Sequence, residues 1–120
     1  MPGPRRRVDP AHGRQALARV LEPHAMEPAD VRDAVRFLLE ELAAQAPGRS
    51  VEVRVPPHGA VQCVAGPRHT RGTPPNVVET DAMTWIALAT GELSWPAAVA
   101  EGRVHASGER ADLSAFLPVV

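Results

Sequence analysis

Asn76-Val77-Val78-Glu79-Thr80-Asp81-Ala82-Met83-Thr84-Trp85-Ile86-Ala87-Leu88-Ala89-Thr90-Gly91 is the stretch on which the fold turns. Its first five residues read as a short strand. Thr80 or Asp81 then supplies a side-chain oxygen to cap a helix, and Gly91 supplies the positive φ that ends one. Between the caps almost every residue is apolar. Such a helix has no face to offer to water, so it must be covered on several sides. A strand leading straight into a buried helix points to a sheet with helices laid over it.

The neighbouring segments extend that pattern. Upstream, Val51, Val53 and Val55 alternate with Glu52 and Arg54, which predicts a half-buried strand. Pro56-Pro57-His58-Gly59 is a turn, and Val61, Cys63 and Ala65 resume the alternation, giving a β-hairpin. Residues 66–75 hold two Gly and three Pro and read as an irregular loop. Downstream, Ser94 caps a short helix that Gly102 ends. Residues 103–107 form a strand with Val104 and Ala106 facing one way, and residues 112–117 form a helical turn or two ahead of Pro118. Trp95, beside the capping Ser94, is expected to be more exposed than Trp85.

Two helices precede the hairpin. Asp9-Pro10 opens the first, which runs to about Glu22 with Ala16, Leu17, Val20 and Leu21 on one side. Gly13 weakens it and Pro23 stops it. Pro28 opens the second, with Asp30 in its first turn and Val31, Val35, Leu38, Leu39 and Leu42 along one stripe. Arg32, Asp33, Arg36, Glu40 and Glu41 take the other side, and Pro47-Gly48 ends it. Residues 1–8, with two Pro, one Gly and three Arg, read as an unstructured basic tail. Residues 9–120 then form one domain of the α/β class, in its α+β form.

Bulk properties narrow the function classes. The 120 residues carry a net charge of −1, which provides no global field for nucleic acid or an anionic membrane. All 13 basic residues are Arg. The basic start is followed by no apolar run of signal-peptide type, and no stretch approaches a membrane span, so a cytoplasmic protein without stable membrane insertion is expected. Cys63 is the single cysteine and cannot form an intramolecular disulfide. It sits in the apolar register of a strand, the setting of a small hydrophobe and not of a nucleophile. The five His have no metal-ligand spacing, and no Gly-x-Ser-x-Gly, phosphate loop or dinucleotide fingerprint occurs. No catalytic centre, metal or cofactor is expected.

From Asp81 onward the element order carries a resemblance. An apolar helix ends in Gly91-Glu92-Leu93. A short helix follows, then Gly102-Arg103-Val104-His105-Ala106-Ser107-Gly108 and a short terminal helix. This is similar to the C-terminal half of the sterol-carrier-protein family. The stretch from His69 to Asp81 resembles a narrower bacterial subgroup of sterol-carrier-like proteins, with similarity reaching back to about Asp9. A more distant likeness is to the C-terminal domain of maleylpyruvate-isomerase-like proteins, whose metal and thiol site belongs to a separate helical bundle.

The resemblance implies a twisted, mostly antiparallel sheet of four or five strands with helices packed on one face. It also implies an apolar tunnel between them for a lipid or other hydrophobic small molecule. Met83, Trp85, Ile86 and Leu88 would line that tunnel, or else simply fill the core. Arg68, His69 and Arg71 in the Gly/Pro loop would anchor a polar head group, or else form a solvated loop. Two functions stay open. One is a non-enzymatic carrier of a hydrophobic or amphipathic ligand. The other is an interaction or accessory module derived from the second domain of a maleylpyruvate-isomerase-like enzyme, with a filled core.

Overall fold

A computed structural model describes residues 6–66 and 76–120. Helix α1 spans Pro10–Leu21 and α2 Asp30–Gln45. Strands β1 (Val51–Val55) and β2 (Gly59–Cys63) follow, then β3 (Val77–Thr80), α3 (Ala82–Ala89), α4 (Trp95–Ala100) and β4 (Val104–Ser107). Single 3-10 turns occupy Pro23–Ala25 and Ser114–Phe116. The architecture is α+β, with a four-stranded open sheet in the order β2-β1-β3-β4. The two outer pairs are antiparallel and the central pair β1–β3 is parallel.

Register decides which side chains meet the helices. Val53 lies beside Val61 on one side and Val78 on the other, and Val78 beside Ala106. Val51, Val53, Val55 and Val78 are at most 1% exposed. The opposite face carries Glu52 and Arg54, which pair with each other, and Glu79 and His105. The alternation of β2 stops at Val64, whose φ of 67° is unusual for a β-branched residue. Hydrogen bonds hold it there: its N–H donates to the Ala46 carbonyl, and its own carbonyl accepts from the Ser50 N–H and hydroxyl.

Caps follow the sequence signals at α1, α3 and α4. Asp9, Asp81 and Ser94 accept from the main-chain N–H of His12, Thr84 and Ala97. Helix α2 starts at Asp30 without a side-chain cap. Asp30 accepts instead from the Glu27 N–H and from two guanidinium nitrogens of Arg19, each at 2.9 Å, which ties α1 to α2. The Arg19 hydrogen bond holds the Asp30 carboxyl below the usual carboxylate range.

Helix α2 buries more than the one stripe read from its sequence, since Ala34 and Phe37 are fully buried too. Phe37 lies against Gly13, where an added Cβ would stand 2.5 Å from the Phe37 Cβ and Cγ. Gly13 therefore is the point of closest approach between α1 and α2, a role its low helix propensity concealed.

The basic tail read from residues 1–8 requires correction at its end. Val8 is 7% exposed and belongs to the core. The main-chain N–H groups of Arg7 and Val8 donate to the two oxygens of Glu40, and Arg6 pairs with Glu41 at 2.9 Å. Glu40 and Glu41, assigned from sequence to the solvent side of α2, are the dock for this arm. Residues 1–5 lie outside the described residues.

Candidate functional site

The apolar residues expected to line a tunnel do not share one environment. Trp85, Ile86 and Leu88 are 1–2% exposed and belong to a continuous core with Val35, Leu38, Val53 and Val78. The Trp85 indole N–H donates to the Val35 carbonyl at 3.3 Å, which fixes α3 against α2. All three are buried among these neighbours, and Leu88 also borders a cleft beside Trp95. Met83 is 53% exposed on the outer side of α3, so it lines no interior space and fills no core. Trp95 is more exposed than Trp85, as read from the sequence, at 8% against 1%, though both are buried; Leu88, Pro96 and Leu117 lie beside it along a half-open cleft. Arg68, His69 and Arg71 lie outside the described residues.

Space opens at the sheet edge. Between α2 and the edge strand β2 lies a half-open groove of about 360 Å³. Helix α2 contributes Arg36, Leu39, Glu40 and Ala43, one helical turn apart in pairs. The hairpin contributes His58, Gly59, Ala60 and Val61, and the N-terminal arm contributes Arg7. Leu39 and Ala43 are nearly buried and Val61 is half-buried, so they form the apolar lining. Gly59 is the reason for the gap: it faces Leu39 and Arg36 with no side chain of its own. A Cβ there would meet Leu39 Cδ1 at 3.6 Å and Arg36 Cγ at 3.7 Å, which is ordinary contact.

Its polar side is held in place by hydrogen bonds. Arg36 Nε donates to the His58 carbonyl at 2.8 Å, clamping the hairpin turn to α2. Arg36 and Glu40 are one turn apart, the spacing of a helix ion pair. They do not pair among the described residues, because Glu40 is engaged by the main chain of Arg7 and Val8.

Burial pushes the Cys63 thiol up to about 11, so it stays protonated and unreactive at neutral pH. Among the described residues, no three His, Cys, Asp or Glu side chains gather into a group able to hold a metal ion, and no helix is long and apolar enough to cross a membrane.

A family model described as a bacterial SCP ortholog matches residues 27–119. The chain belongs to the bacterial sterol-carrier-protein ortholog family. The match begins just ahead of α2, later than the likeness from Asp9 read in the sequence, and takes in the sheet and α3 and α4. The arm and α1 lie outside it. A comparison with curated proteins found no match. In the groove, the family segment supplies α2 and β2, and Arg7 comes from outside that segment.

The sequence held one signal for this site. Gly59 ends a Pro-Pro-His-Gly turn, and turn glycines are read for backbone conformation. Here the glycine is not in the left-handed region, and its missing side chain is what matters.

Proposed function

We propose that this sterol-carrier-like chain is a non-enzymatic binding module that takes a small hydrophobic or amphipathic molecule in the α2–β2 groove. The observation that carries this reading is where the free space lies. Trp85 and Ile86 are buried in the core, while a half-open groove of about 360 Å³ with an apolar lining stands at the sheet edge. That volume is within the range of small-molecule sites and near its lower end. Family membership supports a carrier role in general terms.

The burial of Trp85 and Ile86 also favours a second reading, an accessory module with no ligand. One experiment separates them. Titration with 1-decanol, followed by amide chemical shifts, is expected to perturb Leu39, Ala43 and Gly59 to Val61. Gly59→Val, which places two methyl groups in the groove, is expected to abolish those shifts and leave the melting temperature within a few degrees. Perturbation confined to α3, or none at all, would exclude the groove and leave the accessory module.

A further inference from the structure

Half of the ten arginines among the described residues face a carboxylate. Arg6, Arg19, Arg32, Arg54 and Arg103 each pair with one. Arg7, Arg14, Arg36, Arg49 and Arg110 do not, among the described residues, and of these Arg7 and Arg36 line the α2–β2 groove. Arg36 uses Nε on the His58 carbonyl and makes no other guanidinium hydrogen bond there. Arg7 is held by its main chain, which leaves its exposed guanidinium free of the docking contact. Glu40 is the one carboxylate in the lining, and both of its oxygens accept from main-chain N–H groups. Two guanidinium groups against one carboxylate leave a single uncompensated positive charge at the edge of an apolar groove.

We infer that the groove selects an amphipathic anion of single charge, with its head group at Arg7 and Arg36 and its apolar body along Leu39, Ala43 and Val61. This rests on the groove being the binding site, as proposed above. Guanidinium groups match the planar, bidentate geometry of a carboxylate. A doubly charged head such as a phosphomonoester brings a second negative charge toward Glu40 that nothing in the lining offsets. Arg7 lies outside the segment that the family model matches, so half of the charge selection comes from the N-terminal arm of this chain.

The test compares decanoate, decyl phosphate, 1-decanol and acetate on the full chain. Decanoate is expected to bind about tenfold or more tighter than 1-decanol, as a charge-assisted hydrogen bond implies. Decyl phosphate binds no tighter than decanoate, and acetate, lacking the apolar body, does not bind measurably. Added salt weakens decanoate and leaves 1-decanol unchanged. Arg7→Ala keeps the main-chain bond to Glu40 and removes only the guanidinium. It is expected to cost decanoate about tenfold without changing 1-decanol binding or the melting curve. Should that variant fold poorly, Arg7→Gln, which keeps the main-chain bond to Glu40 and much of the side-chain length, carries the same comparison. Equal binding of decanoate and 1-decanol, unaffected by either variant, overturns the anion assignment and leaves the groove standing. Tighter binding of decyl phosphate overturns the single charge. Failure of both decanoate and 1-decanol to bind removes the groove reading itself.

Discussion

Two regions where helices meet the rest of the core are built differently. In one, α3 sets Trp85, Ile86 and Leu88 into the core cluster that also holds Val53 and Val78, and the Trp85 indole is tied to α2. Along β2, α2 sets Leu39 and Ala43 beside Gly59 and Val61, and about 360 Å³ stays open. The most apolar helix therefore makes the closed region and the amphipathic one makes the open region. A wall of large side chains closes on itself to exclude water. A gap persists where small residues meet a helix whose polar side chains are tied to other partners. Apolar content alone is thus a poor guide to where a ligand sits, and side-chain size at the sheet edge is a better one.

The difference between the two regions can be tested by substitution. Trp85→Ala in the core region is expected to have the largest effect, a loss of about 3–5 kcal/mol in chemical denaturation, because it leaves a large cavity and removes the indole bond that ties α3 to the Val35 carbonyl. A loss under about 1 kcal/mol would mean that α3 is not close-packed. In the open region, Glu40→Ala is expected to cost about 1–3 kcal/mol through loss of its two charge-assisted hydrogen bonds. It should also speed tryptic cleavage after Arg7, since the arm is no longer held. Unchanged stability and unchanged cleavage would detach the arm from the groove. Met83→Ala should have the smallest effect, within about 0.5 kcal/mol, since the side chain lies half in solvent on the same helix as Trp85. A larger loss would move Met83 into the core, where the sequence alone could place it.

The fold was legible because its signals are local. The hairpin alternation from Val51 to Cys63, the caps at Asp9, Asp81 and Ser94, and the strand-to-helix run through Trp85 each depend on residues a few positions apart, and each appears where it was read. The site was less legible because its parts are distant in sequence. Nothing local tells that Glu40 receives the main chain of Arg7, 33 residues away, or that Gly59 faces Leu39. Arg6 and Arg7 have the composition of a solvated tail, and Glu40 and Glu41 that of a solvated helix face. Only their juxtaposition turns both into a docking contact. Met83 failed for a related reason: a helix apolar all round does not reveal which of its residues the sheet leaves uncovered.

The contact of Gly13 with Phe37 acts as a lock between two parts of the chain. One partner belongs to α1, outside the segment that the family model matches, and the other to α2, inside it. A side chain at position 13 displaces α1 unless position 37 shrinks in step, and Val8 and Arg7 lie only a few residues ahead of Gly13. Changing either position alone in this chain therefore loosens the seat from which Arg7 reaches the groove, even with every residue of the groove itself retained.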